Sequence, residues 1–411
     1  MHRRVISEAD KICGWPEKVL CREEISKPDK ISDLPEEVLG RILSFLTTKK
    51  AVSTGILSKR WINLWKLCDS IDFIGIEADS FEDSVNSVLD SPDAVGSRFI
   101  KDFSLDCTPT CLHVHNLFKW INFLVQCKIQ NLLIHIDLDE IGYHLRPKLP
   151  SSIFASKTLV RLELWWFCLE GFAFSSVGFP SLKILHLRGI IFPEPQGARE
   201  FLLLLSASPI LEDLEVCYVL LGCMEEEESV IFQEFRSLRL PKLTTATISY
   251  SPWSCIPLEA LTSSKSLCLG YLLSHQAYKV NQPQGPIFHN LTSLELHNSW
   301  ELVGKVLHQC PKLQNLKLYE DCHGIREGMK REFLEDYPES WVDPECVPQC
   351  LLSQLRSCTI ESILFLMLPT YILKNARILQ SMKIEIPCKI KQRRMSLCPK
   401  ASPTCELIVY G

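Results

Sequence analysis

Residue types that do chemistry are plentiful in this chain, but few stand at the spacings chemistry requires. Cys107, Cys111, His113 and His115 form one stretch of metal-capable side chains. Zinc sites usually pair ligands as Cys-x2–4-Cys and His-x3–5-His, whereas His113 and His115 stand only two apart. The stretch reads more simply as a loop running into a helix start. Cys346 and Cys350 have a usable spacing and no nearby histidine. There is no Gly-x-Ser-x-Gly elbow for a nucleophile, and neither a Gly-x-x-x-x-Gly-Lys-Ser/Thr nor a Gly-x-Gly-x-x-Gly phosphate loop. Glycine is only 17 of 411 residues, so backbone cradles are scarce. The expectation is no catalytic residue, no metal and no cofactor: a chain that works by binding.

Nineteen cysteines run from Cys13 to Cys405 without one Cys-x-x-Cys pair. Disulfide frameworks belong to short secreted chains. Here Met1-His2-Arg3-Arg4 leads into Glu8, Asp10 and Lys11 with no apolar segment of a secretory signal. The thiols are therefore expected to be reduced, mostly small core hydrophobes, in the cytoplasm, the nucleus or both. Asp+Glu outnumber Lys+Arg by 49 to 44, a net charge of -5, which argues against nucleic acid as a partner. The most apolar runs, Phe201–Leu205 and Ile363–Leu373 (broken by Pro369), are too short to span a membrane. A chain of 411 residues suggests two or three domains, or one elongated repeat array.

The elements that would position a binding surface are easier to read. Residues 1–30 have weak periodicity and read as a flexible leader. From Pro35, suited to a first helical turn, Glu36 and Glu37 sit at the positive end of a helix dipole. Val38, Leu39, Ile42, Leu43, Phe45 and Leu46 then recur at helical spacing. Thr47 or Thr48 can cap a second short helix with Ala51, Val52 and Ile56. Ser58 can cap a third with Trp61, Leu64 and Trp65 on one face. So small a unit cannot bury all its apolar surface; it needs a partner, or it caps the next domain. Ile31-Ser-Asp-Leu34-Pro35-Glu-Glu-Val-Leu39, Ile42-Leu43-Ser-Phe45-Leu46, Leu57-Ser-Lys-Arg60-Trp61 and Leu64-Trp65 together resemble a plant F-box preceding leucine-rich repeats. The resemblance implies docking on a Skp-type adaptor of a cullin–RING ubiquitin ligase through Leu34, Pro35, Val38, Leu39, Ile42 and Leu46. Gly55 stands where that pattern has a serine, and would loosen the second helix by roughly 0.5–1 kcal/mol.

From residue 100 a template of apolar-x-x-apolar-x-apolar recurs, starting at 100, 129, 159, 182, 211, 243, 264, 291 and 313. The spacing brackets that of leucine-rich repeats, about 20–29 residues. Each copy places two residues on one face of a short strand, and stacking buries a shared core. Ser208-Pro209-Ile210-Leu211 and Cys310-Pro311-Lys312-Leu313 each follow an apolar helix, as in plant F-box leucine-rich proteins. Trp341, Pro344, Val347-Pro348, Cys350-Leu351-Leu352, Leu355, Ile360, Tyr371–Ala376, Leu379, Met382 and Ile384 resemble an FBD domain. Its usual Gly- and Glu-rich stretch is replaced by the short apolar Ile363–Leu368. The expected fold is α/β: leader 1–30, a three-helix F-box at 31–70, an irregular repeat solenoid of parallel strands and helices at 71–335, an FBD-like cap at 336–390 and a solvated tail at 391–411.

If the anchors point inward, the alternating residues face the open side of the sheet. That row includes Arg161, Glu163, Trp165, His186, Arg188, Asp213, Glu215, Glu295, His297, Asn315, Lys317 and Tyr319. Mixed charge with aromatics suits a polypeptide better than a phosphate track. The Glu225–Glu228 run reads as a solvated loop between repeats. The expected role is therefore a non-catalytic, substrate-recognising subunit of the ligase, with the F-box on the adaptor and the repeats on an unidentified target. The alternative is a small-molecule-dependent co-receptor on the same scaffold.

Overall fold

The computed structural model describes residues 31 and 33–411, except 75–80, 90–99, 109–113, 137–145, 171–177, 194, 223–230, 232–234, 236, 251–255, 271–284, 298–299, 320–342 and 362–365. The leader, the Glu225–Glu228 run, Cys111, His113, Trp341 and Ile363–Phe365 lie outside the described residues.

Two short helices open the described chain, α1 (Glu36–Leu43) and α2 (Thr48–Ser53), followed by 3-10 turns at Thr54–Ile56 and Trp61–Leu67. Their core is small: Leu39, Leu43, Ala51, Trp61, Leu64 and Cys68, with Leu34 packed against it. Gly40 lets α1 approach the last turn, since a Cβ there would lie 2.7 Å from that of Leu67. Gly55 lies in the 3-10 turn beyond α2, so the expected helix-interior cost does not apply. Thr48 does not cap α2. Its Oγ1 accepts from the Asp72 N–H at 2.7 Å, and the Asp72 carboxylate accepts from the Thr48 N–H.

Asp72 belongs to β1 (Ser70–Phe73), among the described residues the first of thirteen strands in one parallel sheet. Next come β2 (Asp102–Cys107), β3 (Asn131–Ile136), β4 (Arg161–Trp165) and β5 (Ile184–Arg188). The two-residue strands β6 (Ile191–Phe192) and β8 (Leu220–Leu221) pair with each other, beside β7 (Asp213–Cys217), and Ile191 also bridges to Cys168. The sheet continues through β9 (Thr245–Ser249), β10 (Ser266–Leu269), β11 (Ser293–His297) and β12 (Asn315–Tyr319). It ends with β13 (Ser357–Glu361), β14 (Ser381–Glu385) and β15 (Glu406–Tyr410).

Every template copy becomes a strand starting two residues after its first anchor, which turns the chain into the strand. Register is clamped at each entry. The Lys101 carbonyl accepts from both Gln130 and Asn131, Gln130 from Val160 and Arg161, Val160 from Lys183 and Ile184, and so on to Arg356 with Gln380 and Ser381. The anchors form one continuous core from Ile71 to Cys405. Among the described residues, α3 (Phe81–Leu89), α4 (Val114–Gln126), α5 (Gly197–Ser206), α6 (Trp300–Gln309), α7 (Gln349–Ser353) and α8 (Met367–Asn375) connect successive strands.

The sheet does not stop where a tail was expected. Helix α9 (Lys389–Ser396) buries Met395, and β15 pairs with β14 over its whole length. Residues 391–411 are therefore a last repeat. The basic run Lys389–Lys400 concealed it, because its charges sit on a helix that buries little.

Candidate functional site

From β2 to β14, one residue per strand of the sheet, in register, forms the middle row of the open face: Ser104, Leu133, Glu163, His186, Glu215, Thr247, Cys268, Glu295, Lys317, Thr359 and Lys383. Two clusters of chemistry-bearing side chains lie along it.

The first spans β3 to β7 around Glu163, which is only 6% exposed. Arg161, two residues back on the same face, pairs with it, Nε donating at 2.7 Å. His186 bridges two carboxylates, Nδ1 at 2.9 Å from Glu163 and Nε2 at 3.1 Å from Asp213. His135 Nε2 stands 3.5 Å from the second Glu163 oxygen. Burial pushes the Glu163 carboxyl up, but His135, His186 and Arg161 together hold it well below the usual carboxylate range. Burial likewise pulls His186 down, while Asp213 and Glu163 push it up to about 9. At neutral pH the imidazolium donates from both nitrogens. In the neighbouring row Trp165 stacks on His135, centroids 4.0 Å apart, and the Arg188 guanidinium lies 4.8 Å from the Trp165 ring centre. The arrangement presents flat aromatic surface beside fixed charges of both signs. It can grip a polypeptide by stacking and ion pairing.

Just beyond this cluster the chain leaves the strands with Trp166, Gly189, Tyr218 and Tyr250 all at positive φ. Trp166 lies under Arg146, 5.0 Å from guanidinium to ring centre, and Arg146 donates to the Gly189 carbonyl at 2.7 Å. Tyr218 and Tyr250 stack at 4.4 Å.

The second cluster spans β10 to β12. His297 stacks on Tyr319 at 4.6 Å, and its Nε2 lies 3.1 Å from Glu295 and 4.0 Å from the Cys268 thiol. Lys317 Nζ is 3.6 Å from the other Glu295 oxygen. Burial, then the Glu295 charge, pushes the Cys268 thiol up to about 12.

At the other end of the molecule, α1 divides its apolar residues between two faces. Leu39 and Leu43 are fully buried in the local core, whereas Val38 and Ile42 are 42% and 44% exposed. Leu46, Val52 and Leu57 are exposed too, and Phe45 and Ile56 reach 84% and 89%. Arg60 donates to the Leu34 carbonyl at 2.5 Å, holding the Leu34-Pro35 entry against the unit.

Comparison with known proteins matches three family models in order. They are "F-box domain" over residues 31–72, "FBD-associated F-box protein At5g56370, LRR repeats" over 117–228 and "FBD" over 343–384. The chain carries an F-box, leucine-rich repeats and an FBD domain. It is 27% identical to the F-box/FBD/LRR-repeat protein At4g00160 of Arabidopsis thaliana, covering 90% of this chain and 91% of that protein. With the F-box/FBD/LRR-repeat protein At4g26340 of the same plant it shares 29% identity over 84% and 89% of the two chains.

Within the F-box, five of the six residues expected on the adaptor face show exposed or partly exposed surface: Leu34, Pro35, Val38, Ile42 and Leu46. Leu39 does not. It is 0% exposed and packs inward with Leu43, four residues on along the same face, while Val38 stands one residue, about 100°, around the helix. In the repeats, the structure brings Arg161, Glu163, Trp165, His186, Arg188 and Asp213 into one cluster, and Glu295, His297, Lys317 and Tyr319 into another; Asn315 is exposed beside the second. His135 and Cys268 were missed. Both occupy alternating positions in weaker template copies, and the same alternation rule finds them.

Proposed function

We propose that this chain recruits substrates to a cullin–RING ubiquitin ligase. The F-box docks on a Skp-type adaptor, and the open face of the repeats holds a target protein. Ubiquitin transfer then happens on other subunits, and this chain supplies proximity and orientation. The observation that carries the reading is the split of α1: a buried face completes the unit's own core, while Val38 and Ile42 remain exposed beside Phe45 and Leu46. Single scattered apolar residues need no partner, but a concentration in one small unit marks an interaction site.

Val38, Ile42 and Leu46, with Leu34 and Pro35, are the adaptor contacts; Leu39 acts from beneath by supporting them. The test is co-purification of the intact chain with a Skp-type adaptor. Ile42→Asp is expected to lower adaptor affinity at least about a thousandfold, since an unpaired charge in an apolar interface is unfavourable by several kcal/mol. Adaptor binding by the folded Ile42→Asp chain at unchanged strength would refute the assignment. Target contacts are expected at Arg161, Glu163, Trp165, His186, Arg188, Glu295, His297, Lys317 and Tyr319. Trp165→Ala with Tyr319→Ala is the matching test, weakening target capture and sparing the adaptor.

A further inference from the structure

We propose that Cys268, Glu295 and His297 form a zinc site on the open face of the sheet. Neither the F-box nor the target-binding reading requires it. Cys268 and Glu295 are partners in register on β10 and β11, and His297 follows Glu295 on the same face. Their three ligand atoms lie within 4.8 Å of one another. A thiolate, an imidazole and a carboxylate are the ordinary protein ligands of zinc.

The geometry fits with small movements. Zinc bonds of about 2.0–2.3 Å at a tetrahedral angle need ligand atoms roughly 3.4–3.6 Å apart. The Glu295–His297 separation is 3.1 Å and the Cys268–His297 separation is 4.0 Å. A stacked ring holds the imidazole there: Tyr319 lies against it, centroids 4.6 Å apart.

Binding forms one bond each from Sγ, the imidazole nitrogen and a carboxylate oxygen to the ion. The thiol proton passes to solvent, and Nε2 gives up the proton it donates to Glu295, the neutral imidazole keeping its proton on Nδ1. Lys317, half exposed, gives up its 3.6 Å contact with Glu295. Three protein ligands leave a fourth position open to the face where the target sits, for water or a donor from the target.

The experiment uses the reduced full-length chain, stripped with a chelator and titrated with cobalt(II) and then zinc. The expected result is one equivalent of cobalt with a thiolate-to-metal charge-transfer band, displaced by zinc. Cys268→Ser abolishes the band, and His297→Gln weakens cobalt binding at least about tenfold. His297→Gln leaves every thiol in place, so it reads the site even if Cys268→Ser misfolds. No thiolate band in the wild-type chain, or an undiminished band in either folded variant, overturns the proposal, since other thiols would then account for any binding.

Discussion

His186 sits between two carboxylates, and its chemistry should be measurable in isolation. Its value rises from the ordinary 6.5 to about 9 in the folded chain despite burial. A group raised on folding contributes stability that is complete below pH 6.5 and lost as pH climbs through about 9. The contribution is on the order of 2 kcal/mol after allowance for partial exposure. An NMR titration should place the His186 midpoint near 9, with the signal identified by its loss in His186→Gln; a midpoint near 6.5 would contradict the bridge. Glu163 works in the opposite sense. Held below its usual range, it contributes above the ordinary carboxylate value and loses that contribution in acid. Gly189 is a second single-residue test. It has φ of +63°, and a Cβ would come 2.4 Å from the Trp166 ring. Gly189→Ala combines backbone strain with a clash, so destabilisation of at least about 1–3 kcal/mol is expected in denaturant unfolding. A neutral result would mean that Trp166 can move aside freely.

At the scale of elements, α1 is the instructive case. Helical spacing alone marks Val38, Leu39, Ile42 and Leu43 as one apolar stretch and does not say which edge faces the unit's own core. That decision depends on where Trp61 and Leu64 pack, and they lie some twenty residues further on. The two edges therefore predict different phenotypes. Leu39→Asp buries a charge within the F-box core and should unfold that unit, abolishing amide protection in α1 and α2. Ile42→Asp should leave that protection intact while adaptor binding is lost, and hydrogen exchange separates the two outcomes. The strands were more legible, because each copy carries its own anchors: all nine template starts lead into strands of the sheet. Two strands lacked the full signal, β10, whose first anchor is Ser264, and β15. In β15, Thr404 occupies the position of the first anchor, aligned with Leu379, so the last repeat reads as polar. The face clusters were legible in their strong copies, by alternation alone. What alternation could not supply is partnership across strands, such as His186 with Asp213, which needs the register of the assembled sheet.

For the whole molecule, the question is how firmly the F-box is held to the repeats. The two hydrophobic cores are separate, but Trp65 packs against both. The reciprocal Thr48–Asp72 hydrogen bonds tie α2 to the first strand. This join matters if the chain works by orientation, because a loose hinge would let the target swing away from the site of transfer. The repeats beyond it are stabilised mainly by their neighbours, so damage at the join should stay local. Thr48→Val with Trp65→Ala removes a hydrogen bond and an aromatic bridge. Limited trypsin digestion is the sensitive readout, since Lys66 lies within the last F-box turn, which ends at Leu67 shortly before β1 begins at Ser70. Cleavage there requires local opening, and its rate follows the open population. The double variant should be cut after Lys66 at least about tenfold faster than the wild type. Amides of β9 to β14 should keep their exchange protection, and adaptor affinity should hold within a few fold, because Val38, Ile42 and Leu46 are untouched. Equal cleavage rates would show that the chain path, and not these contacts, fixes the F-box to the sheet. A loss of protection through β9 to β14 would instead make the F-box an end cap on which the entire solenoid depends.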